Sequence, residues 1–171
     1  MKTPSSVVPL AIAIVISIGP AAAESTLPKE GVVAFSAVLH STGQHRVTMG
    51  DDLSQTSYEV TGGAIADKEG SLGDRMSMRC VGSGRIVKGK PEGETGMCEY
   101  IDLSGDKVFT TFLVVNGETP GTVMSKHTIA GGTGKYSGVA GEWVGTRHPL
   151  RPPVEGQIMT VLVYKGSYKL P

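Results

Sequence analysis

The sequence predicts an all-β domain of about eight antiparallel strands, closed into a barrel or packed as a sandwich. Its apolar residues alternate with polar ones or form short clusters, without the 3.6-residue period of an amphipathic helix. Turn residues interrupt these runs at intervals suited to strands. The loop Gly131–Trp143, GGTGKYSGVAGEW, lies between two strand-like runs and predicts a tight corner, because its glycines allow backbone conformations that residues with a Cβ atom avoid. Its glycines are Gly131, Gly132, Gly134, Gly138 and Gly141. We expect strands at Gly31–His40, Gln55–Ile65, Arg75–Val81, Gly96–Leu103, Lys107–Val115, Thr122–Ala130, Val139–Thr146 and Gln157–Tyr168.

The first residues have the pattern of an export signal. Lys2 gives a positive start, Val7–Ile18 is almost wholly apolar, and Ala21–Ala23 supplies the small residues of a cleavage site. The apolar run is shorter than the about 20 residues needed to span a bilayer. We therefore expect residues 1–23 to be removed and residues 24–171 to form one domain in the periplasm or outside the cell.

The charge balance argues against highly charged partners. Removal of Lys2 with the signal leaves 15 of the 16 basic residues against 16 acidic ones, a formal charge of −1. Charges of both signs are scattered along the chain. This gives no electrostatic reason to expect nucleic acid or an anionic membrane as a partner.

Two cysteines, Cys80 and Cys98, flank a predicted turn. Their midpoint is Gly89, inside the turn-like segment KGKPEG. If the flanking runs pair as a hairpin about this turn, the cysteines lie opposite each other, and a disulfide forms provided that their Cα atoms come within about 7 Å. The alternative is a pair of reduced cysteines that behave as small apolar residues.

The connections between strands follow from turn residues. We expect Thr42–Leu53 to be a polar loop between strands, and Ser104–Asp106 to be a tight hairpin turn. Asn116-Gly117 opens the next turn. The prolines of the last loop exclude a central strand there; they are Pro149, Pro152 and Pro153.

Some strands are apolar on both faces. In Lys107–Val115, apolar residues occupy both the odd and the even positions, so neither face is polar. The segment Ile158–Tyr164 has the same pattern. An antiparallel sheet with one solvated face should alternate apolar with polar residues. Two explanations stay open: a loop covers these faces, or they form a subunit interface on the outside of a barrel.

The sequence lacks the spacing of several catalytic and binding motifs. A P-loop needs a glycine five residues before Gly134-Lys135 and a hydroxyl residue after it, but Ile129 and Tyr136 stand there. No serine has the G-x-S-x-G spacing of a nucleophile elbow. The histidines are dispersed, without metal-ligand spacing, so neither a metal nor a cofactor is predicted; they are His40, His45, His127 and His148.

Glu59 is the carboxylate best placed for chemistry. It lies inside an apolar strand, in Tyr58-Glu59-Val60. If it points into an apolar barrel, burial raises its pKa and it can act as a general acid or base. If it points outward to water, as most strand glutamates do, it has no such role.

Three segments, in order, carry a family resemblance. Glu94–Phe109, ETGMCEYIDLSGDKVF, has a Gly-x-Cys strand, a Gly-Asp turn and a second strand. Ile129–Trp143 has a GGTG corner followed by an aromatic residue and a glycine, and Thr160–Tyr168 ends a strand in Lys-Gly. This order resembles the allene oxide cyclase barrel family and, more loosely, the plant dirigent proteins. The match covers roughly Gly73–Tyr168, about two thirds of residues 24–171.

The resemblance implies an eight-stranded antiparallel β-barrel of the calycin type, with a central cavity and often a homotrimeric assembly. It places Glu59 at the position of a glutamate in the cyclase site, although Thr61 stands where the family has an asparagine. It also implies that Cys98 faces the cavity, that Cys80 opposite it faces inward, and that Tyr100 shares this orientation.

We therefore expect an exported barrel that binds one small apolar molecule in its cavity, since the interior of eight strands is just large enough for such a ligand. Two alternatives stay open. One is an isomerase or cyclase that works by positioning its substrate, with Glu59 as the acid–base group. The other is a trimeric scaffold whose cavity has no role.

Overall fold

The computed structural model describes residues 27–119 and 121–171, which form one closed antiparallel barrel. Its strands are β1 (Glu30–Met49), β2 (Leu53–Ala66), β3 (Met76–Val87), β4 (Lys90–Ile101), β5 (Lys107–Asn116), β6 (Val123–Gly132), β7 (Ala140–Pro149) and β8 (Met159–Lys169). Each strand pairs with its neighbours in sequence, and β1 pairs with β8 to close the barrel. The predicted eight-stranded barrel is confirmed and the sandwich is excluded. The expected export signal, residues 1–23, lies outside the described residues.

The β1–β2 hairpin is longer than the sequence predicts. Thr42–Leu53, expected to be a loop, forms the end of β1 and its turn into β2. A bulge lies between Ser41 and Gly43, and pairing then continues as far as Met49 opposite Leu53. Residues 42–52 are all exposed. Because neither face of this end is buried in the core, the sequence shows no apolar alternation there, while the backbone pairing of an antiparallel hairpin persists.

The half of the barrel next to the β6–β7 corner is filled by aromatic side chains. Phe35 contacts Tyr100, Trp143 and Tyr164, with ring centroids 6.0, 6.0 and 4.5 Å away. All four residues are buried, and Leu72 of the β2–β3 loop is buried at the same end. Close packing leaves no room for a ligand in this half, so any ligand space must lie in the other half.

The glycine-rich segment Gly131–Trp143 turns the chain from β6 into β7 through a single 3₁₀ turn, Gly134–Tyr136. Gly134 has φ +54°, and a Cβ atom there would lie 1.8 Å from a carboxylate oxygen of Asp106. The Tyr136 hydroxyl donates to Asp102, with the oxygens 3.1 Å apart. The corner therefore packs on the β4–β5 turn, and its glycines serve this close approach.

Apolar side chains form a strip on the outer face of β3, β4 and β5. Val81, Met97 and Leu113 are 51, 60 and 49 % exposed. Val81 pairs with Met97, and Leu113 pairs with Thr95, which lies beside Met97 on β4. Leu113 belongs to the segment Lys107–Val115, whose two faces are both apolar, and its side chain is half exposed. The two explanations of such faces, a covering loop and a subunit interface, both stay predictions.

Candidate functional site

A cavity of about 350 Å³ occupies the half of the barrel away from the glycine corner. Its walls come from the inward side chains of β2, β3, β4 and β8, among others, and the β7–β8 loop contributes Gly156–Ile158. Leu39, Val60 and Phe112 supply apolar lining. The volume is at the lower end of the range of about 300–1,000 Å³ that is typical of small-molecule sites.

Glycines on the inner face leave room for the rings that shape this cavity. A Cβ atom on Gly82 would lie 2.7 Å from the hydroxyl of Tyr58 and 2.9 Å from the ring of Phe112. A Cβ atom on Gly96 would lie 2.6 Å from the same Phe112 ring. The two rings therefore lie over strand backbone, where side chains of other residues would exclude them.

The cysteine pair forms part of the cavity wall. Cys80 and Cys98 lie opposite each other on β3 and β4, and their sulfur atoms form a disulfide with Cα atoms 4.1 Å apart. The predicted disulfide is confirmed, and the reduced alternative is not found. Both cysteines are buried and line the cavity. Since such bonds persist in oxidising compartments, the disulfide indicates an oxidising environment for this chain.

A hydrogen-bonded cluster of three polar side chains lies inside the cavity. The Tyr58 hydroxyl donates to Oε1 of Glu94, and Nη2 of Arg147 donates to the same oxygen from 2.8 Å. The side chains of Glu94 and Arg147 are only 12 and 24 % exposed. Burial raises the pKa of Tyr58, and the negative charge of Glu94 raises this pKa further. The phenol therefore stays protonated and remains a donor to Glu94.

Arg147 also stays charged at every relevant pH. Burial alone would lower the pKa of its guanidinium, but Glu94 and Tyr58 together outweigh this effect and the pKa is raised. Such a pair keeps a carboxylate and a cation inside the barrel with nearly balanced charge. Together with Tyr58, it places a hydrogen-bonded polar cluster inside the cavity.

Strand alternation gives Glu94 its inward orientation, because it lies four residues before the inward Cys98 on β4, and a β-bulge lies directly beside it. The β3–β4 register shifts between Ser83 and Arg85, so that Gly93 and Glu94 oppose Gly84 alone. Gly93 has φ +60°, and a Cβ atom on Gly84 would lie 2.6 Å from Glu94. Bulges are frequent beside functional sites.

His127 lies at the inner end of the cavity as a neutral imidazole. Its Nδ1 atom lies 3.1 Å from the Thr110 hydroxyl, and its ring is 5.4 Å from that of Phe112 and 5.3 Å from that of Tyr164. Burial lowers the pKa of His127 to about 3, and the positive charge of Arg147 contributes. At neutral pH this residue adds a polar atom but no charge.

The structure places the predicted site residues in three different environments. Cys98 lines the cavity. Tyr100 points into the barrel but is 1 % exposed and packs against Trp143, with ring centroids 5.5 Å apart. It belongs to the solid aromatic half and does not line the cavity, which corrects the expected position.

Glu59 lies on the outer face of β2. Arg79 donates to its Oε2 atom from 2.7 Å, and Thr42 donates to Oε1 from 3.1 Å. These hydrogen bonds, that of Arg79 above all, lower the pKa of Glu59. The inward orientation that an acid–base role requires is not found, because inward positions of β2 fall on the alternate residues, including Tyr58 and Val60.

Sequence reasoning missed Glu94, Arg147 and the Tyr58 hydroxyl as a site. They lie on three separate strands, so no local spacing brings them together. Two local signals point to Glu94: it has the same strand parity as Cys98, and Gly93 immediately before it is typical of a bulge.

The described residues hold no group of three or more His, Cys, Asp or Glu side chains able to bind a metal ion. No helix in this part of the chain is long and apolar enough to cross a membrane. Comparison of the chain with protein-family models, with curated proteins and with solved structures gives no match.

Proposed function

We propose that this protein is an exported barrel that binds one small, largely apolar molecule in its central cavity. The observation that carries the proposal is the cavity itself: about 350 Å³ of space, apolar lining and a few convergent polar groups. This combination is typical of small-molecule sites. A barrel that served only as a rigid scaffold would more simply be packed throughout, as its other half is.

Export and family membership are parts of the same proposal. The disulfide supports an oxidising destination, which agrees with the signal-like pattern of residues 1–23. The eight-stranded barrel agrees with the resemblance to the allene oxide cyclase family, as does the cavity beside Cys98. Periplasmic or secreted location and this family are therefore the assignments that we propose.

A second candidate function is an isomerase that positions its substrate, and the polar cluster favours it. With Glu59 outside the barrel, the carboxylate available to such an enzyme is Glu94, with Tyr58 as a neighbouring donor. The exposed outer strip of Val81, Met97 and Leu113 supports a homotrimer or another self-assembly in addition to either function.

Native mass spectrometry of the protein purified from its expressing cells tests the binding proposal. We expect a bound small molecule, and the same spectrum gives the oligomer mass. Leu39→Trp should fill the cavity and remove the bound mass, whereas Val38→Trp, on the neighbouring exposed position, should retain it. Circular dichroism confirms that both variants fold. Retention of the ligand by a folded Leu39→Trp protein would contradict the proposal.

A further inference from the structure

The hydrogen bonds of Glu94 are unevenly divided between its two oxygens. Oε1 accepts from both Tyr58 and Arg147. Oε2 makes no hydrogen bond with any residue in 27–119 or 121–171, although Glu94 lines the cavity. A carboxylate oxygen offers lone pairs for two hydrogen bonds. The cavity therefore presents a charged acceptor with unused capacity.

A second polar group on the same wall is also unsatisfied. The Thr56 hydroxyl is buried and has no hydrogen-bond partner within the described residues. Thr56 lines the cavity and lies on the same face of β2 as Tyr58, two residues nearer the β1–β2 turn. Buried hydroxyls normally find a partner. Thr56 thus adds an unsatisfied polar atom to the lining, while Glu94 is the acceptor that a ligand donor can reach.

The charges of the cavity favour a ligand without net charge. Glu94 and Arg147 neutralise each other, and His127 is uncharged. A ligand carboxylate beside this pair would bury an unbalanced negative charge, which costs several kcal/mol before any compensation. Arg85 is paired with Glu92 at 3.1 Å, and its side chain is more than half exposed.

The one remaining cation of the lining is Arg46, at the end of β1. It is exposed, so water and salt screen its charge from the inner part of the cavity. We therefore expect Arg46 to contribute little to the choice of ligand.

We propose that the ligand is an uncharged molecule with an apolar body and a hydroxyl group, whose O–H donates to Oε2 of Glu94. This inference rests on the proposed binding function and adds the chemical class of the ligand. The apolar body fills the space beside Leu39, Val60 and Phe112. A hydroxyl donates the hydrogen bond that Oε2 of Glu94 lacks, and it adds no charge to the balanced Glu94–Arg147 pair.

Matched probes of one length test this class on the native protein. Isothermal titration with 1-octanol, heptyl methyl ether, octanoate and octylammonium varies the head group while the apolar body stays nearly constant. We expect 1-octanol to bind about 10-fold or more tightly than the ether, because a hydrogen bond to a charged acceptor is lost in the ether. We expect octanoate and octylammonium to bind more weakly than 1-octanol.

Substitution of Glu94 should reverse this preference. Glu94→Gln keeps the shape of the side chain but leaves Arg147 without its counter-ion, so octanoate should then bind more tightly than 1-octanol. Glu92→Gln, on the same strand but in an exposed ion pair, is the matched control and should keep the native order.

The outcomes separate this inference from the function on which it rests. Tighter binding of octanoate, octylammonium or the ether than of 1-octanol by the native protein overturns the hydroxyl class and leaves ligand binding intact. No binding of any probe, in a protein that also carries no bound molecule in the mass spectrum, overturns both. The native series decides even where Glu94→Gln fails to fold.

Discussion

Arg147 on β7 and Glu94 on β4 form an ion pair of 2.8 Å between strands that are not neighbours in the sheet. Two strands, β5 and β6, separate them around the wall, so the pair reaches across the interior of the barrel. It lies above the packed aromatic half and within the cavity. The same contact thus joins opposite parts of the wall and sets the charge balance that a ligand meets.

Removal of one partner of this pair should destabilise the barrel strongly. Arg147→Met leaves Glu94 partly buried without a counter-ion, and we expect a loss of about 3 kcal/mol in the free energy of unfolding. The double variant Arg147→Met with Glu94→Leu removes both charges and should lose less than the single one. Urea denaturation measures both.

A surface pair provides the control for this measurement. Arg85→Met breaks the exposed ion pair with Glu92 and should cost less than about 1 kcal/mol. If Arg147→Met and Arg85→Met have equal effects, the inner pair has no special contribution to stability.

His127 should make stability fall as the solution becomes acidic. Its folded pKa, about 3, lies below the unfolded value, so between about pH 6.5 and pH 3 the unfolded chain binds more protons. The contribution of the neutral imidazole to the free energy of unfolding is therefore complete above pH 6.5. It declines as the pH falls from about 6.5 to 3, by at most about 1.4 kcal/mol per pH unit.

The variant His127→Gln isolates this contribution, because an amide can still hydrogen-bond Thr110 and does not titrate. Urea denaturation at pH 7 and pH 5 should show a smaller loss for the variant than for the native protein. The exposed histidines His40, His45 and His148 are present in both proteins, so their effects cancel. Equal losses would show that His127 is not kept neutral by the fold.

The glycine corner should tolerate no side chain at Gly141. This residue has φ +146°, and a Cβ atom there would lie 2.3 Å from the backbone oxygen of Ser167 on the paired strand β8. Because that oxygen belongs to the backbone pairing of β7 with β8, it cannot move without a large cost in free energy. We expect Gly141→Ala to cost about 2 kcal/mol or more by thermal or urea denaturation.

Gly43 is the matched control for this substitution. Gly43 lies in β1, its φ is not positive, and a Cβ atom added there would have no neighbouring atom within 4 Å. Gly43→Ala should change the unfolding free energy by less than about 0.5 kcal/mol. A Gly141→Ala protein as stable as Gly43→Ala would contradict the close approach of β7 and β8 at the corner.

The sequence predicted the barrel better than it predicted the site. Strands such as Lys107–Val115 carry their own alternation and turn residues, and the symmetric spacing of Cys80 and Cys98 about Gly89 gave the register of β3 against β4. The end of β1 was missed because its faces are both exposed. The inner cluster could not be derived, since Tyr58 and Arg147 meet Glu94 only after the barrel closes.

The choice between Glu59 and Glu94 gives a direct test of which carboxylate faces the ligand. The two side chains lie on opposite faces of the barrel wall: Arg79 binds Glu59 outside, whereas Arg147 binds Glu94 inside. Glu59→Gln should therefore leave the affinity for 1-octanol within about twofold of the native value, since a rearranged surface ion pair contributes little. Glu94→Gln should weaken this affinity by about 10-fold or more, because a neutral amide oxygen is a weaker acceptor than a carboxylate.

Isothermal titration under identical conditions compares the two variants, which differ from the native protein by the same chemical change. If Glu59→Gln were instead the variant that loses binding, the ligand would contact the outer face of β2, and the cavity would not be the binding site.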